Sequence, residues 1–330
     1  MRAFKKIICF LLVNIIAAGI LCFAFRPFPQ FEMRVDDFLE GDCSSMVIGS
    51  SFGHNIVPDL LPDGEKTFDL CSPGIHFNDY YYILRELNKH KDIKRVYLEF
   101  SLEYWTGEAG SSNHVNMRRI LTGKDEISYI FNVLGPLNYN TALFPYYITS
   151  SSIFGLPENV KNKLAVMLDK DYEIGEPEFV EENEEVNMEM VPAVFSKDIV
   201  SQEVLKSFIK MSDFCRENDI ELIVFSTAFA KERLRAENVG DVHDYFEEFF
   251  KKNNVAFYDM NYVKWDLLPR KTEEYIDLHG HMRRPLAERQ TKLLAEIMES
   301  DDPSAFFVSD YQEVLDGLDK MEKCTYEECG

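Results

Sequence analysis

The stretch SSMVIGSSFGH, Ser44 to His54, decides the fold. Met46, Val47 and Ile48 are a run of flexible or β-branched apolar residues, the composition of a buried strand, and Gly49 permits a sharp turn directly after it. A pair of hydroxyls, Ser50 and Ser51, is thereby delivered to the strand's carboxyl end. In open α/β sheets that edge holds the ligand crevice, because loops converge there and helix N-termini present amide groups to it. Ser51 is the candidate nucleophile, and the competing reading is that Gly-Ser-Ser is ordinary turn chemistry.

Outward from this stretch the chain alternates. Lys66 to Cys71 (KTFDLC) reads as a second strand ending in the loop Ser72-Pro73-Gly74. Asn78 to about Lys91 reads as a helix, with Tyr81, Ile83, Leu84 and Leu87 on one stripe, and Arg95 to Phe100 (RVYLEF) as a third strand. The pattern resumes with a helix from Gln202 to Asn218, a strand from Glu221 to Ser226, a helix from Val242 to Asn253 and a strand from Val255 to Tyr258. Pro285 can open a final helix, where its missing N–H costs nothing, and Leu286, Leu293, Leu294 and Ile297 follow at helical spacing. Strands separated by helical segments predict an α/β domain with a parallel sheet over residues 44–300. Residues 102–196 break the rhythm and read as a helical insertion that caps or flanks the site. Its acid-rich part, Asp171 to Glu189, has no basic residue and reads as a solvated loop rather than a Ca²⁺ site. Residues 26–43 read as a polar stalk, and residues 301–330 as an acidic tail with one amphipathic piece, Val308 to Met321.

With 330 residues, 46% of them hydrophobic, the chain can bury a full core. Fifty-seven acidic against 35 basic residues leave a net charge of −22, which argues against nucleic acid as a partner, since phosphate recognition needs clustered Lys and Arg. The run from Ile7 to Phe25 has Asn14 as its one strongly polar member and is long enough to cross a bilayer. Arg2, Lys5 and Lys6 precede it, so the positive-inside rule predicts a single-pass anchor with a cytoplasmic N-terminus and an extracytoplasmic domain. A cleaved signal peptide is the alternative, with Cys22-Phe23-Ala24 as a poor cleavage site, and Leu21 before Cys22 argues against a lipoprotein. Cys9 and Cys22 lie in the anchor. Of the other five cysteines, Cys324 and Cys329 are the nearest in sequence to forming a pair, and no spacing resembles a zinc site. No metal or organic cofactor is expected.

A serine hydroxyl needs a base to take its proton, a group to orient that base, and donors for the developing oxyanion. Ser51 follows the first strand, the amides of the turn it opens can serve the oxyanion, and Gly74 after the second strand can bring its backbone N–H close to a substrate. Asp277-Leu-His-Gly-His281 then crowds an acid and two imidazoles together after the last strand. With the Ser72-Pro73-Gly74 loop, the VYLEFS strand and the late Asp/His motif before a terminal helix, Gly49-Ser50-Ser51 resembles the SGNH/GDSL hydrolase superfamily, in its membrane-anchored Gly-Ser-Ser form. The resemblance covers residues 44–101 and 221–300. It implies a three-layer, flavodoxin-like fold, Ser51 as nucleophile, Gly74 in the oxyanion hole, and Asp277 with a histidine as the remaining catalytic pair. His281 fits the register before the terminal helix, with His279 as the alternative base. The family's third-block asparagine has no counterpart near Glu99, Ser101 and Glu103, and the Asp–His spacing differs from the usual two intervening residues.

Three functions follow from this reading. The first is a serine esterase or O-acyltransferase acting on an envelope glycan, lipid or acylated polymer. The second is a non-catalytic envelope assembly or binding protein that keeps the fold. The third is acyl handoff with a membrane acyltransferase partner, resembling the proteins of D-alanine transfer to teichoic acids. His54 and His76 could line the pocket but read more readily as surface or helix-start histidines, and Trp105 and Tyr80 to Tyr82 could stack on sugar rings, though aromatic stripes at helical spacing are more often core.

Overall fold

The computed structural model describes residues 2–24, 30–62, 66–72, 77–101, 120–132 and 194–321, with isolated positions or short runs at 105–106, 117, 160, 185–190 and 192. The chain begins with α1 (Arg2–Ala24), whose stretch Phe4–Leu21 is long and apolar enough to cross a membrane, with none of it buried against the protein. Next comes α2 (Gln30–Glu40), then β1 (Ser45–Ile48), β2 (Thr67–Asp69), α3 (Phe77–Leu87), β3 (Arg95–Glu99) and α4 (Gly123–Asn132). The second half contributes α5 (Gln202–Glu217), β4 (Glu221–Ser226), α6 (Lys231–Ala236), α7 (Val239–Lys252), β5 (Ala256–Asp259), α8 (Arg284–Glu299) and α9 (Tyr311–Met321).

The five strands form one sheet in the order β2-β1-β3-β4-β5, every pair parallel. The 2-1-3-4-5 order is one found in doubly wound sheets, and its direction reverses between β1 and β3, the point beside which such sheets bind their ligands at the carboxyl edge. Ser51 follows β1 at that point. Side chains alternate across the sheet as the two-residue period requires. On one face Met46, Ile48, Val96, Leu98 and Val224 pack with Leu84 and Leu87 of α3, Phe208 of α5, and Phe246 and Phe250 of α7. On the other, Val47, Tyr97, Ile223 and Phe225 pack with Leu286, Leu293, Leu294 and Ile297 of α8. Because both faces are covered, the strands read as continuous apolar runs rather than polar–apolar alternation.

The elements read from the sequence form with boundaries shifted by a few residues, and two flanking segments behave differently from expectation. The polar stalk of residues 26–43 holds a helix, α2, whose Phe31, Val35 and Phe38 enter the core. Its apolar residues recur at four- and three-residue spacing, a stripe that the surrounding charges obscure in composition. The described part of the acidic tail, residues 301–321, likewise packs on the domain. Val314 and Leu318 of α9 bury against Leu234, Val239 and Tyr262, and Val263 pairs with Phe307 in an antiparallel bridge. Between β4 and α7 the chain also forms the short helix α6, which the strand–helix pattern of the sequence does not mark.

Within the insertion, Trp105, Met117, Ile120, Leu121 and Tyr129 belong to the core, so this segment helps to build the sheet's covering layer. Residues 133–159 and 161–184 of the expected helical insertion, the acid-rich stretch up to residue 184 among them, lie outside the described residues. Its end is not free in solvent: Asn187 bridges Asp277 in parallel, and Val186 packs against the second core.

If α2 belongs to the domain, Phe38→Ala should cost about 3–5 kcal/mol by the cavity it leaves. Urea denaturation of the detergent-solubilised chain measures this; a shift indistinguishable from zero would restore the stalk reading.

Candidate active site

The carboxyl ends of β1 and β3 meet through a buried carboxylate. Gly49 lies against Glu99 so closely that an added Cβ would stand 2.4 Å from the Glu99 Cβ, which requires glycine here. Tyr80 fixes the same residue by donating its hydroxyl to the Gly49 carbonyl. Ser50 is 1% exposed; its N–H and its hydroxyl both donate to Glu99 Oε2, at 3.0 and 2.8 Å. The Ser50 Oγ in turn accepts the Phe52 N–H at 3.1 Å and so caps the 3₁₀ turn Ser51–Asn55. The two serines therefore divide the labour: Ser50 closes the turn from inside, and Ser51, at its first position, is partly exposed. The Ser51 amide has no partner within the turn, as the first N–H groups of any helix lack one.

Ser51 Oγ stands 2.8 Å from His281 Nε2, and His281 Nδ1 stands 2.6 Å from Asp277 Oδ2. The second Asp277 oxygen, Oδ1, accepts the N–H groups of Gly280 at 3.0 Å and His281 at 3.2 Å. These bonds curl residues 277–281 into a turn, which Gly280 permits at φ +116°. An extended backbone would have put Asp277 and His279 on one face; in the turn it is His281 that meets Asp277. Around it, Ile276 N–H donates to the His281 carbonyl at 2.8 Å and Tyr275 bridges Met282, so both ends of the loop are pinned. The His279 side chain makes no hydrogen bond to Ser51 or Asp277, and its carbonyl accepts from the buried Arg233.

Burial opposes ionisation of Asp277. The hydrogen bond and positive charge of His281, with the His281 and Gly280 amides, outweigh that cost and hold the carboxyl below its ordinary value. The Phe52 ring stacks on His281 at 4.5 Å and 18°, and the Arg233 guanidinium lies over Phe52 at 5.8 Å and Phe229 at 3.9 Å, paired with Glu237 at 3.0 Å. The imidazole is thus held in plane while its side chain remains 29% exposed.

Beside this grouping, His54 Nδ1 bonds Asp69 Oδ2 at 2.7 Å at the carboxyl end of β2. Asp69 also accepts the Cys71 N–H at 2.7 Å and pairs with Arg34 of α2 at 3.3 Å. Burial disfavours the charge of Asp69, but His54, Arg34 and the Cys71 amide together hold its pKa low. Another serine, aspartate and histidine meet at β4 and β5: Ser226 donates to Asp259, which bonds His243 Nδ1 at 2.8 Å. There the serine donates to the carboxylate and the imidazole bonds the carboxylate's other oxygen instead of the hydroxyl, so the histidine does not stand between serine and acid. The proximity of Ser, His and Asp alone does not make a triad; their order does.

Gly74 and His76 lie outside the described residues. Trp105, Tyr80 and Tyr82 are buried in the core, which removes them as a sugar-stacking platform. Cys43, Cys71 and Cys215 are free thiols, and burial raises the pKa of Cys215 to about 12; Cys324 and Cys329 lie outside the described residues. Among the described residues no group of three His, Cys, Asp or Glu side chains is placed to hold a metal ion. The sequence reading missed Glu99, which it noted only as the place where an asparagine was lacking, and Asn55, a polar residue hidden in an otherwise plain turn. No family model matches the chain, and no curated protein matches it.

Because the folded pKa of Asp277 is depressed, its contribution to stability is complete above the unfolded carboxylate value and is lost as pH falls through the folded one. Asp277→Asn should therefore lessen the acid dependence of unfolding between about pH 5 and pH 3. Denaturation midpoints taken across that range check it; parallel wild-type and variant curves would contradict the assignment.

Proposed function

We propose that the chain is a membrane-anchored serine esterase or O-acyltransferase, as the SGNH/GDSL resemblance implies, acting on ester bonds of an envelope glycan, lipid or polymer outside the cytoplasm. The observation that carries this reading is His281 standing between Ser51 and Asp277 at hydrogen-bond distance from both. The basic residues ahead of the apolar helix support the orientation.

In this reading neutral His281 donates its Nδ1 proton to Asp277 and accepts the Ser51 hydroxyl proton at Nε2. Ser51 Oγ bonds to the acyl carbon, and the carbonyl π pair moves onto oxygen. The Ser51 amide stabilises that oxyanion, joined by the Gly74 amide if the resemblance holds at that position. Collapse expels the alcohol, which leaves with the proton from Nε2. Water or an acceptor hydroxyl then gives its proton to the same nitrogen and attacks the acyl-serine; collapse breaks the acyl–Oγ bond, and Ser51 Oγ takes the proton back from Nε2. Asp277 stays ionised throughout, which its low pKa favours. Ser50, whose hydroxyl is committed to Glu99, takes no part in bond making.

Labelling of the full-length chain in membranes with a fluorophosphonate probe tests the chemistry. Ser51→Ala should abolish labelling and Ser50→Ala should leave much of it. His281→Gln should slow it by on the order of 10³-fold or more, and His279→Gln by little. A folded wild-type protein with no labelling and no esterase activity across broad substrates would replace this reading with the binding-protein one. Orientation has its own test: a reporter fused after Gly330 should be active only outside the cytoplasm, and cytoplasmic activity would refute the envelope assignment.

A further inference from the structure

Asn55 closes the 3₁₀ turn that Ser51 opens, and its side chain is almost wholly buried. Its Nδ2 donates to the Gly280 carbonyl at 2.8 Å, and its Oδ1 accepts the Met282 N–H at 2.8 Å. These two partners are the residues on either side of His281. One side-chain amide therefore grips the backbone immediately before and after the imidazole-bearing residue, from the same turn that carries the hydroxyl. We infer that Asn55 is the positioning residue that sets the separation between Ser51 and His281. The inference rests on the triad reading above.

The other restraints on His281 do not do this. The Asp277 bonds and the Ile276–His281 bond are internal to residues 276–281; they shape the loop without placing it relative to Ser51. The Asn187 bridge ties the loop to the insertion, and Arg233 ties His279 to α6. Phe52 stacking fixes the plane of the ring but lets it slide along that plane. Among the described residues Asn55 alone joins the Ser51 turn to the loop backbone by directional bonds at two points. The choice of side chain follows from chemistry: the site presents one carbonyl and one N–H, so it needs a donor and an acceptor together. A carboxylate lacks the donor, and an apolar side chain would bury two unpaired backbone groups.

The test uses the full-length chain in detergent. Asn55→Ala should let the Met282 amide exchange with solvent at least about tenfold faster, the scale of one lost hydrogen bond. With the fluorophosphonate probe, the maximal inactivation rate should fall by at least about tenfold while the half-saturating probe concentration stays within about twofold, because the reacting geometry is loosened and the binding surface is not. Asn55→Asp, which keeps the volume and loses the donor, should show the same split and serves where the alanine variant fails to fold. A folded variant whose maximal rate is unchanged overturns the inference, as does one whose loss lies in probe affinity. If the wild-type chain takes no label at all, the triad reading fails, and the exchange measurement still decides the clamp: unchanged Met282 protection refutes it.

Discussion

The contact between Ser51 Oγ and His281 Nε2 joins residues 230 apart in the chain, and most of the fold is needed to make it. One partner is placed by β1, whose buried residues lock it between β2 and β3. The other sits on a loop whose far side becomes α8, packed on the opposite face of the sheet from α3, α5 and α7. A hydrogen bond tolerates errors of only a few tenths of an ångström. Neither element could meet that tolerance alone, so the loop is pinned to the turn through Asn55 and to its own two ends through residues 274–283.

The carboxyl edge of the sheet gathers four carboxylates, Asp69, Glu99, Asp259 and Asp277, and all four are at least mostly buried. Burying a charge is costly unless hydrogen bonds and opposite charge replace water. Each carboxylate is accordingly tied to a neighbour: Asp69 to His54 and Arg34, Glu99 to Ser50, Asp259 to His243 and Ser226, and Asp277 to His281. Three of these arrangements are closed, with the serine or arginine committed to the carboxylate. Only around Asp277 does the histidine reach past its acid to a hydroxyl that is itself part-exposed. That difference in connection, not in composition, sets the Asp277 cluster apart from the other three among the described residues.

Segments that look peripheral in the chain turn out to be structural. Helix α2 brings Arg34 to the carbonyls of Asp69 and Cys71, so the segment following the apolar helix reaches the loop after β2. The insertion supplies Trp105 to an aromatic cluster with Phe100, Phe208, Phe246 and Phe250, and sends Asn187 to the strand-like stretch beside Asp277. The site thus rests on α2 and the insertion as well as on the two stretches, residues 44–101 and 221–300, that first suggest it.

Much of this was legible locally. The apolar run ending in Gly49, the Glu221 to Ser226 strand and the Pro285 helix start are readable because burial, turn chemistry and helix initiation act over a few residues. The same local rules delivered Ser51 to a strand end and placed Asp277, His279 and His281 in one loop. They did not by themselves separate the histidines; the preference for His281 over His279 rested on the resemblance's register, since the geometry depends on the Asp277 turn and on which imidazole the Ser51 turn meets. Nor could they distinguish Ser51–His281–Asp277 from Ser226–Asp259–His243, or find Asn55, whose partners are backbone groups 225 and 227 residues away. Residue type and short-range periodicity are properties of the chain; the pairing of one buried polar group with another is settled only when the sheet and its covering helices bring distant segments to hydrogen-bond distance.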